Sequence, residues 1–464
     1  MTSLPLARPT VRDGDHAPRE SIALATALFL VLFGGDALRN SVGWTAWGII
    51  AGLLAAASIV VSVRHRLPLN RIPWPLVALL LTMVLSILWS DYPTGSLLGV
   101  GSQLMTTAAP LAMASTLTWP AIVKALGRAL RIIVVLSLLF ELFVSLVVRH
   151  PICPIYTRSL CVGHYPAAFD WSRDNLLHGG PIGGLPGNSN LLAIFALLAL
   201  VVTAVEAADR SITRVTAWVG IVSAVLAYGL TRSSTVLVCT LACAVVLGVA
   251  LMIRRSSHRM RRMVYPAALV VILALAALAL VFNKPLLHLL GKSSTFTGRR
   301  TIWQSVYELA IQRPVAGWGW TGWWQPYLEP FKGLAVRNGV VYLQAHEAYL
   351  DMFFQLGWIG LVIFLAVIVS TVARAWWWAT DRRMLAAGQP AKWSARDLLP
   401  ILLLAVMLVH GLGESRLNVE WGWGLLVVIC LVTRVDWFRW YGGPPPRQKT
   451  ATGDPTPTKA GATT

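Results

Sequence analysis

Long apolar runs follow one another along most of the chain, each closed by a short polar break. About 20 apolar residues wound as a helix cross the hydrocarbon layer of a bilayer. On that basis spans fall near 21–38, 43–63, 73–89, 97–117, 132–148, 189–206, 215–231, 235–252, 264–282, 348–373, 397–412 and 421–435. The pattern predicts an all-α, polytopic transmembrane helical bundle of about twelve spans. The first run, "SIALATALFLVLFGG", has no small-residue cleavage site after it and reads as a retained anchor.

Composition agrees: 56% of the residues are hydrophobic and only 13% charged, against about a quarter charged in soluble domains. The net charge of +19 would suggest nucleic acid in a soluble protein, but here its placement matters more. On this threading 26 of the 39 basic residues fall on one face, with both termini. The positive-inside bias makes that face cytoplasmic. The expected organisation is a cytoplasmic tail over 1–20, a membrane domain over 21–435, and a disordered cytoplasmic tail over 436–464. Two large loops, 149–188 and 283–347, then lie outside. Loops of that length in a compact protein tend to be functional.

The candidate chemistry gathers in those loops and at the outer span ends. From Gly298, apolar Ile302, Val306, Leu309 and Ala310 recur at helical spacing up to Pro314, predicting an interfacial amphipathic helix. Arg299 and Arg300 open it, where a cation is electrostatically unfavourable unless an anion is near; binding of lipid headgroups is the simpler account. The run "PVAGWGWTGWW" puts Trp318 and Trp320 among glycines, as an interfacial aromatic belt or a stacking platform for sugar. Arg232 stands at the rim of a tight turn, and Glu414 and Arg416 at the same level, as a structural ion pair or as part of an anion site. In "QAHEAYLD" His346 adjoins a helix start whose positive end favours a neutral imidazole, a usable base. Glu347 and Asp351 are four residues apart, on one helical face.

Of five cysteines, Cys153 and Cys161 share the first outer loop and are disulfide candidates, while Cys239, Cys243 and Cys430 read as packing residues within spans. No cysteine–histidine spacing suggests a metal. The single Asp-x-Asp, Asp13 and Asp15, lies in the cytoplasmic tail and is taken as coincidence.

In order along the chain come "SILWSDYP" (86–93), "GGLPGNSNLLA" (183–193), "LTRSST" (230–235), "TGRRTIW" (297–303), "RPVAGWGW" (313–320) and "AHEAYLDMFFQLGWIGL" (345–361). This series resembles the O-antigen ligase and polymerase superfamily. The resemblance implies a GT-C-like membrane glycosyltransferase with its active site on the outer face. Such an enzyme transfers glycan from undecaprenyl pyrophosphate with inversion and without metal or cofactor. By position His346 matches the essential histidine, and Arg232 with Arg299 or Arg300 match the arginines that hold pyrophosphate; Arg416 is a weaker carry-over. Glu347 stands where asparagine is usual. Glu347, Trp318, Trp320, Asn188 and Asn190 are candidate acceptor or sugar contacts. The implied partners are a polyprenyl-pyrophosphate-linked glycan donor, a glycan or lipid-linked acceptor and membrane lipids. Chain-length regulator or flippase proteins are further candidates, and nucleic acid is not expected. Polymerase and ligase stay open, as does a transporter or flippase of lipid-linked saccharide, which also has about twelve spans.

Overall fold

The computed structural model describes residues 19–65, 69–163, 165–257, 259–267, 295–337, 340–382 and 392–441. The expected span over 264–282 lies almost wholly outside these residues, as do the start of the second large loop and most of both tails. The described chain is mainly helical, as expected, apart from turns, the two large loops and one two-stranded antiparallel ribbon pairing Val336–Arg337 with Val340–Val341.

Twelve α-helices are labelled in chain order among the described residues. The first eight are α1 (Arg19–Phe33), α2 (Gly35–Arg64), α3 (Trp74–Leu85), α4 (Pro93–Thr116), α5 (Trp119–Phe143), α6 (Ser189–Ala208), α7 (Arg214–Thr231) and α8 (Ser234–Arg255). Then follow α9 (Thr295–Ala310), α10 (Ala348–Thr380), α11 (Leu399–Gly411) and α12 (Glu420–Tyr441). Seven are long and apolar enough to cross a membrane: α2, α4, α5 with its π-helical extension to Val148, α6, α7, α8 and α10. The other expected crossings in the described chain coincide with shorter apolar helices or with α12. At about 1.5 Å per residue, α3 and its following 3-10 turn are shorter than a bilayer core. Some boundaries differ: the first break falls at Gly34 and not at 38–43, α10 runs on to Thr380, and α5 begins at Trp119, so Lys124, Arg128 and Arg131 lie in its first turns and not in a loop.

Burial sorts the helices. On α6 and α12 residues of every face are buried, the signature of a helix surrounded by protein. Along α2 and α7, by contrast, Ile49, Leu53, Ile59, Trp218, Val222 and Leu226 are exposed. Apolar rows of this kind are what lipid would cover. The bundle has two polar ends. At one, Asp209 accepts from the backbone of Ala395 and Arg396 and pairs with the Arg396 guanidinium at 2.6 Å. At the other lie the two large loops and the starts of α4, α6, α10 and α12.

The first loop is tied down by Glu141. It is fully buried in α5 and accepts from the backbone N–H of Gly183 (3.1 Å) and Gly184 (2.6 Å) and from the Ser172 hydroxyl (2.9 Å). Cys153 and Cys161 are joined in a disulfide in the same loop.

The second loop interlocks with α10, which is broken at Gly357 (φ 63°). The break separates Trp358 N–H from the carbonyl of Phe354, and Ile359 N–H from that of Gln355. All four groups find partners in the 314–319 strap. Trp358 donates to Pro314 (2.8 Å) and Ile359 to Val315 (3.2 Å), while Trp318 donates to Phe354 (3.2 Å) and Gly319 to Gln355 (2.8 Å). The glycines follow from this contact. A Cβ at Gly357 would lie 2.3 Å from the Val315 carbonyl oxygen, and one at Gly317 2.5 Å from that of Gln355. The Gln355 amide adds bonds to Thr321 and Gly322, and Asp351 takes the Trp324 indole N–H at 3.0 Å. The α3–α4 turn closes the strap from the other side, with Trp89 donating to Ala316 and Ser86 accepting from Trp320 N–H.

Replacing Gly357 with Ala should therefore destabilise the protein by about 2 kcal/mol or more, combining left-handed backbone strain with the steric clash. Thermal melting of detergent-solubilised protein measures it, and an unchanged midpoint would refute the interlock as described.

Candidate functional site

The strap and the break hold the start of α10 against α9, and the ionisable groups meet there. His346 has a left-handed backbone (φ 54°), a region rare for residues with a side chain and found at strained functional positions. Glu347 then caps α10 by accepting from Leu350 N–H, so the sequence neighbours turn apart. Asp351 is buried against Trp324 and Gln355 and serves the strap. The shared helical face expected for Glu347 and Asp351 therefore does not make them one site.

His346 Nδ1 lies 3.0 Å from Glu414 Oε2, and its ring packs edge-on against Tyr342 with centroids 4.9 Å apart. The other Glu414 oxygen receives Arg299 Nη2 at 3.0 Å. Burial alone would push the Glu414 carboxyl upward. The hydrogen bond and charge of His346, then the charges of Arg299 and His410, outweigh it and hold the group at about 2. Gln344 braces the same turn, donating to Glu414 and accepting from Ser415 N–H, while Glu347 N–H donates to the Ser415 hydroxyl.

Beside this cluster opens a cavity of about 460 Å³ lined by Arg300, Trp303, Gln304, Tyr307, Glu347 and Leu350. Consecutive arginines on α9 thus do different things: Arg299 turns to Glu414, and Arg300 borders the cavity. Burial is the largest influence on Glu347. Although the backbone N–H groups of Leu350 and Tyr349 favour its charged form, burial with help from Asp351 carries it to about 7.

The remaining candidates divide. Arg232 ends α7 in a left-handed conformation, is exposed, and has no ion pair among the described residues. Its turn adjoins the cluster: Ser233 donates to Asn190 Oδ1 at 2.8 Å, and a Cβ at Gly413 would sit 3.4 Å from Thr235 and 3.1 Å from Arg299. Asn188 caps α6 through its side-chain oxygen. Two expectations need correction. Trp320 is wholly buried in the bundle core, so its indole face cannot stack on a sugar; Trp318 is half-buried, with the Arg313 guanidinium 4.2 Å from its ring centre. Arg416 is bound up in a separate buried network with Glu420 and Asp36, which Arg39 completes, and it stacks on Trp323. Glu414, expected opposite Arg416, pairs instead with His346 and Arg299. No sequence signal marked that pairing, because the partners lie 68 and 115 residues away.

A bundle with an apolar exterior and ionisable side chains gathered at its loop-covered end is a multi-pass membrane protein. Residues 217–365 match the family model described as O-antigen ligase, which bears out the resemblance to the O-antigen ligase and polymerase superfamily. The matched segment runs from α7 into the first half of α10 and carries Arg232, Arg299, Arg300, His346 and Glu347. Comparison with curated proteins gives no match.

The raised Glu347 group gives a pH prediction. Its folded value of about 7 lies above the ordinary 4.5, so its contribution favours the folded state below about pH 4.5 and is lost as pH rises through 7. Glu347→Gln, which can still cap the helix, should gain melting temperature over wild type between about pH 5 and pH 8. A difference that stays constant over that range would refute the shift.

Proposed function

We propose that the protein is a metal-independent, inverting glycosyltransferase acting at the outer face of the cytoplasmic membrane. It would transfer glycan from a polyprenyl pyrophosphate to an acceptor in the polymerisation or ligation of cell-surface polysaccharide. The bundle would have about twelve crossings, with both termini cytoplasmic and the loop-covered end outside. The observation that carries this reading is the juxtaposition of the His346–Glu414 pair with a cavity bordered by Arg300, within the segment that matches the O-antigen ligase family.

In the reaction the acceptor hydroxyl attacks the anomeric carbon and its proton passes to His346 Nε2, the nitrogen left over once Nδ1 faces Glu414. The bond from the anomeric carbon to the phosphate oxygen breaks, and its electron pair leaves with the diphosphate. Guanidinium groups match phosphate oxygens in planar, charge-assisted pairs. Arg300, with Arg232 at the neighbouring turn, compensates the developing charge, a task a divalent ion performs in other transferases. Trp303 and Tyr307 offer ring faces for the glycan.

His346→Ala should lower transfer at least about 10²-fold while membrane insertion stays normal, since a general base supplies about 10²–10⁴. Arg300→Ala should raise KM for the lipid-linked donor by about tenfold or more. Both are measured with purified protein and undecaprenyl-pyrophosphate-linked glycan; full turnover by the His346→Ala protein would overturn the proposal.

A further inference from the structure

We infer that Glu414 is the positioning residue for His346, and that Arg299 serves as the anchor of Glu414 and not as a ligand of the donor diphosphate. The inference rests on the glycosyl-transfer reading and assigns roles within it.

Glu414 comes from the turn between α11 and α12, outside the segment that matches the family. Its side chain is 9% exposed, and its polar contacts point inward: Oε2 to His346 Nδ1 and Gln344 Nε2, Oε1 to Arg299 Nη2. A carboxylate so enclosed touches no substrate. What it can do is accept the Nδ1 proton of His346, which fixes the tautomer that leaves the Nε2 lone pair free, and stabilise the imidazolium once Nε2 takes a proton. Fixing the ring matters because the left-handed backbone at His346 offers no regular helix or strand to aim it.

Arg299 completes the device. Its charge offsets the buried carboxylate, and the glycine at 413 leaves room for it: a Cβ there would stand 3.1 Å from Nη1. Arg299 commits one amino group to Glu414 and is not among the residues lining the cavity that the adjacent Arg300 borders. Arg299 and His410 are the other charged or titratable groups that act on Glu414.

The test separates the two arginines first, using undecaprenyl pyrophosphate as the probe so that no sugar need be known. Arg300→Ala should weaken its binding about tenfold or more, and Arg299→Ala by less than about threefold while lowering kcat. Equal weakening by both would overturn the assignment of Arg299. For Glu414 the variant is Glu414→Gln, which keeps shape and one acceptor. Its kcat should fall about tenfold or more with KM little changed, and the acid limb of its pH–rate profile should move to lower pH, because the imidazolium loses its counter-charge. Glu414→Asp should recover part of the rate. A folded Glu414→Gln protein with wild-type rate and profile, beside an inactive His346→Ala, refutes the positioning role while leaving the transfer reading intact. An active His346→Ala refutes that reading itself. If Glu414→Gln does not fold, the arginine comparison still decides.

Discussion

Breaking a helix inside a largely apolar bundle strands backbone groups that water cannot reach, and each such group costs on the order of kilocalories unless it finds a partner. In α10 the break at Gly357 strands two N–H groups and two carbonyls, and the strap at 314–319 binds all four. The contact is too close for side chains, which accounts for the glycines at 317 and 357 together. The motif glycines before and within α10 are therefore two halves of one joint. Because the joint fixes the first turns of α10 against the strap and α9, it also fixes where His346 and Glu347 stand.

Polar groups at this end are arranged in two layers. Asp36, Arg39, Arg416 and Glu420 form a closed, balanced network around which Trp44, Trp47 and Trp323 pack. Removing one member would leave a buried charge uncompensated, a cost larger than the pair itself contributes. The second layer, His346, Glu414 and Arg299 with Gln344 and Ser415, is also densely bonded, and its chain neighbours Arg300 and Glu347 line the cavity. The first layer holds the starts of α2 and α12 together; the second ties the turn before α10 to the turn between α11 and α12. Arg416 and Arg299 look alike in a sequence, yet only the second is next to the cavity-lining helix turn.

Helix positions were legible because apolar periodicity and polar breaks are local properties, and the order of short motifs was enough to point to the family that 217–365 matches. Partners were not legible. The role of Glu141 is invisible locally because the two glycine N–H groups it binds lie 42 and 43 residues on. Trp320 read as an interfacial ring because tryptophan favours both interfaces and cores, and only burial separates them. Seven described helices are long and apolar enough to cross, while short helices such as α3 and α11 are as apolar as long ones, so apolarity alone does not set the count.

Charge compensation narrows the candidates for holding the proposed anionic donor. At the loop-covered end Arg299 is matched by Glu414, and Arg39 and Arg416 by Asp36 and Glu420. Arg313 pairs with Asp91 and stacks on Trp318. Arg232 and Arg300 have no carboxylate partner among the described residues, and both are exposed. A cation at the end of α7 is favoured by the helix dipole, so Arg232 needs no anion to be tolerated there. Arg300 has no such compensation: it lies in the second turn of α9 and borders a cavity. An anionic ligand in that cavity would supply Arg300 with the counter-charge it lacks. A diphosphate seated there would lie beside the turn that carries His346.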